Sequence, residues 1–361
     1  MDSEEVKYWI GFGLIYGIGA AKFALLEDYF GELGRAWHAS PAQLRASGLD
    51  AKSVEAIHTA RSSISLETEI DKLRRYRVRV LTHKDTAYPA RLREIDYPPP
   101  LLYVRGTLLS QDENSVAIVG TRHMTTYGQQ AAEYIATDMA HNGITVVSGL
   151  ARGIDSVAHR AALDAGGRTI AVAACGVDMV YPSEHVELGR RIVAQGALVS
   201  EFPLGTKPKA EHFPQRNRVM SGISLGVLVV EAGTKSGSLI TAHFASEQNR
   251  EVFAIPGNIY SHSSQGTNAL IQEGAKLVRN CTDIMEELNL NVVAEQLEMR
   301  ELVTATDTET LVLSHLSKDG SSIDDVCQRS GLPVSTVSGL LTMLELKGLA
   351  RQVGNANYAP A

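Results

Sequence analysis

The segment His212-Phe-Pro-Gln-Arg-Asn-Arg218 ends a stretch, Gly205 to Arg218, in which Lys207, Lys209, Arg216 and Arg218 oppose one acid, Glu211. Phe213 and His212 are interleaved with the cations, and Gln215 and Asn217 add polar contacts. Cations that track a phosphate backbone, beside an aromatic face that stacks a base, are the combination that holds single-stranded nucleic acid. The same composition also describes a solvated charged loop.

Three further turns carry the same kind of chemistry. Val116-Ala-Ile-Val119 runs into Gly120, Thr121 and Arg122, and a helical pattern follows. Amides and a cation at the carboxyl end of a strand suit an anion; the lesser alternative is that Arg122 closes its loop by an ion pair. Ser148, Gly149 and Arg152 lie in a second small-residue turn, Ser148-Gly-Leu-Ala-Arg-Gly-Ile-Asp155, where Asp155 is expected to cap the next helix. Glu231-Ala-Gly-Thr-Lys-Ser-Gly-Ser238 places Lys235, Ser236 and Gly237 at a third, suited to phosphate.

Several reactions are excluded. One glycine stands where a dinucleotide fingerprint needs three, and Thr234 replaces the glycine that a P-loop needs before its lysine. Ser236 has no identifiable His and acid, and His185-Val-Glu187 lacks the downstream Pro-Cys-x-x-Cys of zinc deaminases. No catalytic residue, metal ligand or cofactor is expected. The three cysteines, Cys175, Cys281 and Cys327, have no CxxC spacing. A net charge of −7 confines any nucleic-acid site to a local patch. With no apolar run long enough to span a membrane and no signal-peptide layout, a cytoplasmic location is expected.

The elements that must position these turns are legible in the hydrophobic pattern. Short apolar runs at Val78–Leu81, Leu101–Val104, Val116–Val119, Thr145–Val147, Thr169–Ala173, Leu198–Ser200, Val227–Val230, Val252–Ile255 and Lys276–Val278 read as strands. From Val116 onward most are separated by helix-length segments, which predicts a largely parallel sheet covered by helices, with the two earliest strands at an edge. Residues 1–75 read as a small helical domain. Its Tyr16-Gly-Ile-Gly19 turn is either a packing module or, as in a helix-hairpin-helix, a phosphate contact. The sheet domain spans 76–290, a linker 291–304, and a winged-helix pattern 305–361. In that last domain four basic residues face six acidic ones, and Ser335 to Leu346 contains no cation. A duplex-reading role would lack its main electrostatic contribution, so a protein contact or packing role is favoured.

Together, Tyr88-Pro89, Tyr97-Pro-Pro99, Ala117-Ile-Val-Gly-Thr-Arg122, Ser148 to Asp155, Ser200-Glu-Phe-Pro203, Phe213-Pro-Gln-Arg-Asn-Arg218, Lys235-Ser-Gly-Ser238 and Gly266-Thr-Asn268 resemble, in order, the DNA-processing protein A family (DprA, also called Smf). The resemblance covers about Val78 to Leu288. It implies an extended Rossmann-like sheet with a helical (helix-hairpin-helix or SAM-like) N-terminal domain and a C-terminal winged helix. It also implies homodimers and non-catalytic binding of single-stranded DNA, protected and delivered to the RecA recombinase in natural transformation. Arg122 would take the phosphate-binding role, with Phe213 to Arg218 and Lys235-Ser236 as pocket walls. An enzyme acting on a nucleotide or phosphorylated ribose is the alternative, but it needs a PGGxGTxxE-like loop that Glu231 to Gly237 does not provide.

Overall fold

Nine strands form one sheet in the order β1-β2-β6-β5-β4-β3-β7-β8-β9. They are β1 (Val78–Thr82), β2 (Leu101–Gly106), β3 (Ser115–Val119), β4 (Thr145–Ser148), β5 (Thr169–Val172), β6 (Ala197–Ser200), β7 (Gly226–Val229), β8 (Glu251–Ala254) and β9 (Lys276–Leu277). The structure is a computed structural model that describes residues 3–290, 307–317, 320–346, 349–354 and 357–360. The expected linker 291–304 lies outside the described residues, as do Lys318 and Lys347.

Every residue of β3, β4, β5, β6 and β7 is buried. Apolar side chains on both faces favour a parallel sheet covered by helices, and β6 through β9 in the spatial order are parallel throughout. β1 and β2 run antiparallel, and β2 attaches antiparallel to β6, which places the two early strands at the edge. β4, β5 and β6 are added on one side of β3, whereas β7, β8 and β9 are added on the other. The winding therefore reverses between β3 and β7, where loops diverge and leave a crevice beyond the strands' carboxyl ends.

Trp9, Phe12, Phe23 and Trp37, from the N-terminal helices, are buried in one cluster with Leu101, Tyr103, Ala171 and Leu198 of the sheet. Helix starts are fixed by side chains: Ser40 and Gln43 form a capping box around Pro41, and Asp50 accepts from the Ser53 amide. The approach is close enough that a β-carbon on Gly13 would stand 2.5 Å from Leu101.

The chain divides into two compact units, Met1–Ile284 and Met285–Ala361. In the second, helices Asp307–Ser314, Ile323–Ser330 and Val334–Leu346 enclose Val312, Val326, Val337, Leu341 and Leu344. A small sheet, β10 (Ser321–Ser322), β11 (Ala350–Gly354) and β12 (Asn357–Pro360), has the order β10-β12-β11. Ser322 caps the middle helix, and Gly331, at φ 72°, ends it in the left-handed region.

Candidate nucleic-acid interface

The turn after β3 is held rigidly. The Thr121 amide donates to the Glu231 carbonyl at 2.8 Å, tying the end of β3 to the end of β7. Glu231 is only 2% exposed. Its carboxylate accepts from the Thr125 amide at 2.9 Å and the Thr125 hydroxyl at 2.8 Å, while Thr125 caps helix Thr126–His141. A group so occupied is a structural acceptor. Gly153, at φ 75°, lies so close to Thr121 and Arg122 that any β-carbon would strike their backbone. With its loop fixed, Arg122 is exposed and lies over the Phe213 ring, 5.4 Å from guanidinium carbon to ring centre. It makes no ion pair among the described residues.

Between these turns lies a cleft of about 310 Å³, whose walls include Thr121, Arg122, Phe213, Asn217, Ser236 and Gly237. Gly120 has no room for a side chain because Ile154 lies 2.5 Å from its β-carbon position. Ser236 and Ser238 share a hydroxyl–hydroxyl hydrogen bond of 2.8 Å at the start of helix Ser238–Glu247. A helix start beside a cation attracts anions.

The segment His212 to Arg218 is not a loop: it forms the first turns of helix His212–Ile223. Pro214 fits there because the first-turn amides have no partner within a helix. Helical geometry then disperses the cations. Arg216 and Asn217 are 5% and 8% exposed, Gln215 faces solvent, and Phe213 faces the cleft. Arg216 donates to the Val172 carbonyl at 2.8 Å, and a β-carbon on Gly149 would collide with its guanidinium. Burial pushes Asp155 above the ordinary carboxylate value, and the Arg216 charge opposes that shift. Burial likewise lowers the guanidinium's pKa, opposed by Asp155. Asp155 does not cap its helix, Ile154–Asp164, whose N-cap is Gly153; it accepts the Gly149 and Ala151 amides at 3.1 and 3.3 Å and so shapes the turn before it.

Other expected contacts are engaged elsewhere. The Ser148 hydroxyl is buried and donates to the Ile118 carbonyl at 2.6 Å. Arg152 makes two 2.7 Å bonds to Glu184 on the surface. Arg218 donates to the Tyr97 carbonyl at 2.6 Å and to Glu201 at 2.9 Å. Lys235 is exposed on the turn after β7. Arg122, Phe213, Asn217, Ser236 and Gly237 therefore meet in the cleft, Arg216 lines its buried side with Gly149 packed against the guanidinium, and Ser148, Arg152 and Arg218 are bonded to neighbouring structure. His123 and Asp155 also line the cleft; His123 was signalled only by its place directly after Arg122, and Asp155 was expected only as a helix cap. Among the described residues no three His, Cys, Asp or Glu side chains gather as a metal site, and no helix is long and apolar enough to cross a membrane.

Residues 79–289 match the family described as DNA recombination-mediator protein A. The chain belongs to that family. A second match, the DprA winged helix domain, covers residues 297–355. A Synechocystis relative named Protein Smf is 31% identical over 99% of both chains. The family's fold is shared by the X-ray structure of DNA processing protein A from Streptococcus pneumoniae, 35% identical, with a TM-score of 0.69 over 78% of this chain and 97% of that one. A Helicobacter pylori DNA processing protein A, whose structure concerns its single-stranded DNA binding mode, is 30% identical, with a TM-score of 0.54 over 60% of this chain and 97% of that one.

Proposed function

We propose that this chain takes part in DNA processing by binding single-stranded DNA, without strong sequence preference and without catalysis, in the crevice between β3 and β7. The observation that carries this reading is Arg122: an exposed guanidinium on a rigid turn, at the mouth of a cleft that also presents hydroxyls and a helix start. The single-strand binding mode of the Helicobacter pylori relative supports the choice of ligand. Gly120, Thr121, Phe213, Asn217, Ser236 and Gly237 complete the pocket, with Gln215 and Lys235 on its rim. Homodimerisation, protection of the strand and its transfer to RecA during transformation belong to the same proposal. In this reading residues 1–75 form the helical domain and residues 76–290 the DNA-binding domain. The winged helix serves protein contact: helix Val334–Leu346 has no basic residue and exposes Val334 and Met343.

Titration of labelled oligo-dT over a salt series tests this. For single strands each neutralised phosphate contributes roughly −0.7 to the log–log slope, so Arg122→Ala should weaken binding and flatten the slope by about 0.7. Unchanged affinity and slope would remove Arg122 from the interface.

A further inference from the structure

We propose that Tyr181 forms a second nucleobase subsite, stacking a base of the strand whose backbone is held at Arg122. This rests on the single-strand reading of the crevice and extends it along the same sheet edge. Tyr181 lies in the segment that follows β5, so it emerges at the carboxyl edge shared by the parallel strands. Its side chain is 48% exposed, so a face of the ring is open to solvent at that edge.

What distinguishes Tyr181 is its neighbour Phe213, which lines the cleft. The Tyr181 and Phe213 rings meet edge-on, with centres 6.0 Å apart and planes inclined at 62°. Phe213 already carries the Arg122 guanidinium over its face, so a base competing for that face would have to displace a favourable cation–π contact. Phe213 is better placed to orient Arg122 and to buttress Tyr181. Tyr181 has no second aromatic contact among the described residues, which leaves its ring available to a base.

The next loop continues the pattern. Pro208 shares the wall of a small cavity with Tyr181 and Phe213, and it is flanked by exposed Lys207 and Lys209. Lys209 lies 3.7 Å from Glu211, a weak exposed pair, whereas Lys207 makes no ion pair among the described residues. The sheet edge therefore presents a guanidinium, two aromatic rings and ammonium groups in turn. An alternation of backbone-neutralising cations and stacking faces is how single strands are held without reading their sequence.

The test pairs two labelled probes with the full chain: oligo-dT, and a strand of equal length with the same sugar-phosphate backbone but no bases. Tyr181→Ala should weaken oligo-dT binding roughly 5- to 150-fold, the equivalent of one lost base–aromatic stack. Affinity for the baseless strand and the salt slope should stay unchanged, and Tyr181→Phe should restore oligo-dT binding. Equal losses on both strands would mean that Tyr181 only supports the loop, and no loss would mean that it meets no base; either result overturns the subsite. Should the alanine variant not fold, Tyr181→Leu fills the space beside Phe213 without a planar face and reads the same difference. Failure of the wild type to bind oligo-dT, or indifference to Arg122→Ala, strikes the underlying reading instead.

Discussion

Replacing Arg216 by methionine separates a structural cation from a DNA-contacting one. The guanidinium is 5% exposed, donates to the Val172 carbonyl at 2.8 Å, and its charge holds down the pKa of buried Asp155. Methionine keeps much of the apolar stem but removes the charge and the donor. A buried charge that loses its partner costs about 3 to 5 kcal/mol, and at about 2 to 4 °C per kcal/mol for a large domain the melting temperature should drop by roughly 6 to 20 °C. The pH dependence has a definite sign. Because burial raises the Asp155 pKa above the ordinary 3.8, the folded state binds more protons than the unfolded one between those two values, and stability falls as pH rises through that window. Loss of Arg216 raises the carboxyl pKa further and widens the window upward. Urea unfolding of Arg216→Met should therefore show a larger deficit at pH 8 than at pH 5. Adding Asp155→Asn, which removes the stranded charge but keeps an acceptor for the Gly149 and Ala151 amides, should recover most of the loss. A deficit below about 1 kcal/mol at both pH values, or no relief from the second substitution, would refute the view of Arg216 and Asp155 as mutually supporting buried charges.

Two further outcomes follow from the geometry. Glu184→Ala frees Arg152 from its paired 2.7 Å bonds; stability should not change measurably, since exposed ion pairs contribute little, and oligo-dT binding at low salt should strengthen with a steeper salt slope, whereas an unchanged slope would show that Arg152 stays off the strand. His159 is fully buried, bonded through Nδ1 to the Thr169 hydroxyl at 2.7 Å, and burial pulls its pKa down to about 3. Its neutral form is the stable one in the fold, so its stabilisation is complete above pH 6.5 and is lost as pH falls toward 3, at up to about 1.4 kcal/mol per pH unit. His159→Gln should flatten that acid limb in chemical unfolding; an unchanged limb would contradict the assignment.

The sheet was legible because its central strands are apolar on both faces and bounded by turn residues, a pattern that needs no partner to be recognised. β3, β4, β7 and β8 all occur where their apolar runs lie, and their parallel direction alone gathers the turns at Gly120, Ser148 and Glu231 on one edge. The helical character of His212 to Arg218 was less legible, because Pro214 and the dense charge suggest a loop. A proline in the first turn of a helix breaks no bond, so the tertiary setting could supply the helix that local composition concealed.

By itself, the order of motifs determined the family, the layered α/β architecture and the edge at which Arg122, Ser236 and Phe213 emerge, since each depends on local patterning and chain direction. Only the tertiary structure decided which cations remain available. Arg152 is engaged by Glu184, Arg218 by Glu201, and Arg216 by Val172 and the nearby charge of Asp155. Those partners lie 17 to 61 residues away along the chain, and a charge's availability depends on what folding brings against it rather than on its neighbours in sequence. Of the segment that first suggested DNA binding, Phe213 and Asn217 face the cleft directly, while its two arginines chiefly hold the cleft in shape.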